Sequence, residues 1–354
     1  MSRDAEALPE PDRFEGAPHP REQTAFFGHA EAEAAFIEGL RSGRLHHAWL
    51  LGGPAGIGKA TLAYRVARFV FAHGGAAPPG TASLQVEASH PAARQLAASA
   101  HPDLAVVRRG LRKDGKGYSA EIGVDHVRRA LDLFSSTAGR GGYRVCVVDA
   151  ADDLNASSSN ALLKVIEEPP PRSVFLIVCH APQRLLPTIR SRCRKLLLRP
   201  LADGDVRAAI GTPGTEFANT PREVLDQAIR LGEGSVRRSL EMLDEGKIAL
   251  VAEVTRALEG LPNVETKRVL ALAESLARRE AGENYELALD TVQRWVSERL
   301  HRSASQGPAR LAPLVEVCDK VARSAREIDA YNLDRRPLVL SLFDDLADAV
   351  RRTA

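Results

Sequence analysis

Gly53-Pro54-Ala55-Gly56-Ile57-Gly58-Lys59-Ala60-Thr61 is the stretch whose reading decides the fold. It follows a short apolar run, His47 to Leu51, that has the look of a buried strand entering a tight loop. It precedes Ala60 to Phe71, where apolar residues recur at a helical period. Glycines between a strand and a helix let backbone N–H groups curl round an anion. The helix N-terminus adds its dipole, and Lys59 is placed to reach outer phosphates. Gly53, Gly56, Gly58, Lys59 and Thr61 are the candidate nucleotide contacts.

Working outward, Glu31 to Leu40 carries helical spacing, and Val124 to Phe134 reads as an amphipathic helix. Asp103 to Val107, Arg144 to Val148, Val174 to Val178 and Lys195 to Leu198 are further strand-like runs, which together give a parallel sheet with helices on its faces. Residues 73–100, rich in Ala, Gly, Pro and Ser, predict an irregular insertion. After Pro200 the strands stop. The remainder reads as helical, with breaks at Gly211 to Gly214, Gly260 to Asn263, Gly282 and Ser303 to Pro308. The expected class is therefore α/β plus all-α. Residues 1–20, polar and proline-bearing, are expected to form a disordered tail.

Composition excludes several classes of function. The chain has 354 residues, 44% hydrophobic and 27% charged, which is ordinary for a folded protein. Its 48 Lys plus Arg against 46 Asp plus Glu argue against a surface that is basic throughout, so any nucleic-acid contact is local. The four cysteines have no C-x-x-C spacing. The first residues lack the apolar core of a signal peptide, and no charge-free stretch is long enough to span a bilayer. A reduced, cytoplasmic protein without membrane contact is expected.

Four features bear on chemistry. The residue after the phosphate-loop lysine should carry a hydroxyl for Mg²⁺, but it is Ala60, and Thr61 comes one position late, turned by about 100° on the helix. Asp149 ends the strand Val145 to Val148 as a metal-facing carboxylate does, yet Ala150 and Ala151 follow where a water-activating Glu is needed. Asp152 is the nearest substitute base, or a helix cap. Both defects fall on one reaction. The readings left open are a turn that binds nothing, nucleotide binding without efficient hydrolysis, and an ATPase completed by Asp152 or Thr61.

In Asn160 to Pro171 (NALLKVIEEPPP), prolines stop a helix with Glu167 and Glu168 in its last turn, where the macrodipole disfavours negative charge. Either Lys164 holds them or an interface to a neighbouring subunit does. Thr188 to Arg194 (TIRSRCR) is either a basic surface turn or an arginine placed to reach an adjacent subunit's γ-phosphate, with Arg192 the candidate.

NALLKVIEEPP, then FLIVCHAPQRLLPTIRSRC, then GEGSVRRSLEMLD at Gly232 to Asp244, with the opening GRLHHAWLLGGPAGIGKATLAYRVARF, resembles the AAA+ subunits of the bacterial DNA polymerase III clamp loader. The resemblance runs from about Arg21 to Asp244 and more loosely beyond. It implies an AAA+ P-loop domain with a parallel sheet at 21–200, a small helical lid at 201–245 and a helical collar at 246–354 through which a ring assembles. It implies that Arg192 is an arginine finger acting in trans. It also places Arg237 at the lid arginine called sensor 2, and His180 where active members have the sensor 1 Thr or Asn.

Departures from the family pattern are informative. Gamma and tau subunits, which hydrolyse ATP, keep the Lys-Ser/Thr pair and the acidic strand end that are broken here at Ala60 and Ala150. This favours a non-motor member over a gamma/tau-like ATPase, with ATP or ADP at most held statically. Many members carry a four-cysteine zinc module after the P-loop helix, but no Cys lies between Ala60 and Tyr143, so no zinc or other metal site is expected. The implied partners are gamma/tau and delta subunits, the sliding clamp through the complex, and primer-template DNA. A free-standing P-loop kinase is a reading from another class, but it leaves the Ser-Arg-Cys turn and the helical C-terminal region without a purpose.

Overall fold

Apolar residues that alternate along each strand build the sheet of this protein, seen in a computed structural model that describes residues 10, 12–112, 118–135, 142–212, 214–278, 281–302, 308–331 and 333–353. In chain order the elements are α1 (Ala30–Arg41), β1 (Ala48–Gly52), α2 (Lys59–His73), α3 (Pro91–Ala97), β2 (Leu104–Val107), α4 (Val124–Asp132), β3 (Arg144–Val148), α5 (Ala156–Glu167), β4 (Ser173–Cys179), α6 (Pro187–Arg192) and β5 (Arg194–Leu197). Then come α7 (Asp203–Ile210), α8 (Arg222–Gly232) and α9 (Val236–Glu241). The strands form one five-stranded parallel sheet in the order β2-β3-β4-β1-β5.

The two-residue period sorts the core into two layers. Trp49, Leu51, Val145, Val147, Leu176 and Val178 pack on one face against α1 and α2. Leu50, Cys146, Val148, Phe175 and Ile177 pack on the other, against Val127 of α4, Leu162 and Ile166 of α5 and Ile189 of α6. Strands covered on both faces are buried along their whole length, as β1, β3 and β4 are. Each such Leu, Ile or Phe contributes roughly 1.5–3 kcal/mol of burial. That anchors the loops at the carboxyl ends of the strands, where the candidate site lies.

The chain divides into two compact units, Met1–Glu241 and Met242–Ala354. The second unit is all-α: α10 (Glu245–Glu259), α11 (Thr266–Leu276), α12 (Gly282–Arg302), α13 (Pro308–Tyr331) and α14 (Arg336–Thr353). These surround a core of Leu258, Leu272, Leu276, Tyr285, Val292, Leu342, Phe343 and Leu346. No helix among the described residues is long and apolar enough to cross a membrane.

Some expectations need correction. The tail expected to be disordered through residue 20 is packed from Glu10 and residues 12–20 onward. His19 is wholly buried, and Glu10 pairs with Arg21 and Arg108. Ion pairing and one buried ring hold a segment that composition alone reads as solvated; residues 1–9 and 11 lie outside the described residues. The 73–100 insertion contains α3, which starts at Pro91 behind a His90 cap and buries Ala93 and Leu96 on the α2 side of the core. The break expected at Gly282 falls just before it, between Leu276 and Gly282, and Gly282 itself opens α12. The break expected at Ser303 to Pro308 lies, except for Pro308 itself, outside the described residues.

Candidate functional site

The phosphate loop leaves the buried strand β1 and delivers Lys59 to the first turn of α2. Two of its glycines are required by close approach. A Cβ at Gly53 (φ +139) would lie 2.4 Å from the Leu198 carbonyl oxygen, and one at Gly56 (φ +74) would lie 2.3 Å from Ser235 Oγ. Gly58 caps α2 with no side-chain acceptor, which suits a first turn whose amides face an anion.

Lys59 is almost fully buried, and its Nζ donates to the Gly53 carbonyl at 2.6 Å and to the Pro54 carbonyl. Burial pushes its pKa down to about 8, against the pull of Asp152 and Asp149. Ala60 packs its methyl against the core of the α2 face, and Thr61 is half-buried one position on. No hydroxyl stands at the position after the lysine.

Asp149 sits at the carboxyl end of β3, its N–H donating to Val107 O at 2.8 Å. Burial, with Asp12 nearby, pushes its pKa up to about 7 despite Lys59, and its buried Oδ2 has no hydrogen-bond partner. Ala150 and Ala151 are both buried and bring no base. Asp152, weighed as a substitute base or a cap, does not cap α5. It lies in a 3-10 turn, and its carboxylate accepts from the His180 N–H at 2.5 Å and the Ala181 N–H at 2.8 Å, tying the end of β3 to the end of β4. The cap of α5 is Asn155, which accepts from Ser158 N–H at 2.9 Å. Crowding by surrounding protein, with the positive charges of Lys59 and Arg237, holds the His180 imidazole below its usual pKa.

Arg237 belongs to α9, which meets the loop directly: the Val236 N–H donates to Gly56 O at 2.9 Å. Its guanidinium pairs with Glu241 at 3.2 Å and lies 6.0 Å from the Phe14 ring centroid. The fold thus gathers Gly53, Gly56, Gly58, Lys59, Asp149, His180 and Arg237 at one end of the sheet. These residues fit a phosphate group through loop amides and Lys59. They lack the usual set for a catalytic Mg²⁺, since Ala60 offers no hydroxyl ligand and neither Ala150 nor Ala151 offers a base.

Arg192 ends α6, apart from that cluster in its bonding. Its Nη2 meets Glu167 Oε1 at 2.8 Å, and its Nη1 donates to Thr188 O at 3.0 Å. Both side chains stay about 40% exposed, 40% for Arg192 and 39% for Glu167, so the guanidinium is fixed yet reachable. This answers what holds Glu167 in a helix end that repels it: an arginine from the next helix. Sequence reasoning left Glu167 between Lys164 and an interface, and missed Phe14 and Asp12 altogether. The signal for those two was an isolated aromatic residue and an isolated histidine, Phe14 and His19, in an otherwise polar tail.

Comparison with known proteins accords with this geometry. The family model described as DNA polymerase III, delta subunit, matches residues 28–202. The DNA polymerase III subunit delta' of Pseudomonas aeruginosa is 33% identical over 231 residues, covering 65% of each chain. That of Escherichia coli is 32% identical over 207 residues, covering 58% of this chain and 57% of its own. The tau subunit of Salmonella typhimurium is 28% identical over 302 residues, 84% of this chain and 43% of tau. The chain thus spans about two thirds or less of the length of each of these relatives.

Proposed function

Since the chain belongs to the DNA polymerase III clamp-loader family of AAA+ proteins, we propose that it is the delta-prime member, a stator of the ring that loads the sliding clamp onto primed DNA during replication. Residues 21–200 are its AAA+ domain, 201–245 its lid and 246–354 the collar through which the ring assembles. Gamma or tau subunits bind and hydrolyse ATP. The delta subunit binds the clamp, and this chain supplies Arg192 to the triphosphate of the neighbour it faces.

One observation carries the reading: the chain's own hydrolytic set is incomplete while its candidate finger is intact. Ala60 and Ala150 remove the metal ligand and the base, and Asp152 is committed to the backbone of residues 180–181. Arg192 is meanwhile oriented by Glu167 with its fork accessible. In trans, a planar guanidinium stabilises charge spreading over the transferring phosphoryl oxygens without a rearrangement at the moment of reaction.

ATP turnover by the purified chain tests this. The expected rate is background, unchanged by Lys59→Ala. Appreciable turnover that Lys59→Ala abolishes would reject the stator and make the chain a gamma-like motor.

A further inference from the structure

We propose that Glu10 and residues 12–20 form a strap that holds the helices α7, α8 and α9 against the phosphate loop, so that their position is set by the chain itself instead of by a nucleotide. The strap's base is anchored on the sheet side. Glu10 accepts from Arg21 and from Arg108 Nη1 at 2.8 Å. Wholly buried His19 bonds to Asp12 Oδ2 at 2.7 Å and sets its ring edge-on to Tyr64 of α2, with 5.8 Å between centroids. Arg21 Nε donates to Ala97 O at the end of α3 at 2.8 Å.

The strap's tip crosses to the helical segment. Phe14 packs edge-on against Phe217 with centroids 6.1 Å apart, and the Glu216 N–H donates to Gly16 O at 2.9 Å. Gly16 is required there: at φ +77 a Cβ would lie 3.0 Å from both Glu216 Oε2 and the Phe217 ring. The same segment is tied a second time, by Val236 N–H on Gly56 O. Between these ties Arg237 is engaged by Glu241 and Phe14, both groups of this chain. Two independent attachments over one loop leave the helical segment little freedom to follow a bound phosphate. The purpose of the strap, rigidity, rests on the stator reading; its contacts do not.

Hydrogen exchange of the full chain, read peptide by peptide with and without ADP plus Mg²⁺, tests the strap. In the unaltered protein, exchange over residues 203–241 is expected to be slow and unmoved by ADP. Phe14→Ala is expected to speed it about two- to tenfold, the opening change that loss of one aromatic pair gives, with β3 and β4 peptides unaffected. Phe217→Ala, on the other side of the contact, should do the same, and the double variant no more than either alone. Faster exchange in β3 and β4 as well would mean general destabilisation and overturn the strap. So would lid exchange that ADP slows in the unaltered chain, or that neither substitution changes. ATP turnover is a separate readout: background turnover with an ADP-sensitive lid rejects the strap and leaves the stator, and appreciable turnover with an insensitive lid does the reverse.

Discussion

Replacing Arg192 by Ala should separate folding from catalysis in trans. The side chain makes one ion pair, 2.8 Å to Glu167, and one backbone contact, 3.0 Å to Thr188 O, at a site about 40% exposed. An exposed pair of that kind is worth about 0.2–1 kcal/mol. For a unit the size of residues 1–241 that lowers Tm by at most about 4 °C, so the variant should fold and assemble. An arginine finger is worth about 10³–10⁵ in kcat, or roughly 4–7 kcal/mol. The pair with Glu167 is therefore too weak to withhold the guanidinium from a phosphate; it narrows where the side chain points. The assay is phosphate release by a reconstituted loader with clamp and primer-template DNA at saturating ATP. Expected is loss of the share of stimulated turnover due to the one site this chain faces, with Arg192→Lys only partly restoring it because an ammonium lacks the fork. Unchanged stimulated turnover in an intact Arg192→Ala assembly would refute the finger.

Two further outcomes follow from the site. Asp152→Asn turns an amide donor toward one of two backbone N–H groups, so urea unfolding should show a loss of about 1–3 kcal/mol while isolated turnover stays at background; unchanged stability would refute the tie between the ends of β3 and β4. Glu10 gives the strap an acid limit. Burial alone would raise its pKa, but hydrogen bonds from Arg21 and Arg108 outweigh that and hold it at about 2, below the usual 4.5. A depressed carboxylate stabilises the fold above its unfolded pKa and loses that contribution as pH falls from about 4.5 toward 2, up to about 3 kcal/mol here. Glu10→Gln should flatten that part of the acid-unfolding profile, and an unaltered profile would remove Glu10 from the latch.

Much of the fold was legible because its signals are local. Each sheet run announces itself by three to six apolar residues bounded by polar residues or turn formers. The phosphate loop is likewise recognisable from the spacing of Gly53, Gly56, Gly58 and Lys59. The α3 helix was harder to see, since seven residues of an Ala-rich stretch become a helix through a proline start and burial of Leu96. The strap was illegible, because Glu10, Asp12 and His19 are polar residues whose partners Arg21, Arg108 and Tyr64 lie up to about a hundred positions away.

The sequence by itself determined the alternation of strand and helix, the phosphate loop, and the gaps at Ala60 and Ala150, all matters of residue type at a fixed local spacing. Only the tertiary structure decided which carboxylate does what. Asp152 closes onto the amides of β4's end, Glu167 turns to Arg192, and Asp149, its Oδ2 buried without a partner, has its pKa raised. Charge and hydrogen bonding depend on distance and dielectric, and neither is a property of the chain until packing has brought distant residues together and excluded the water between them.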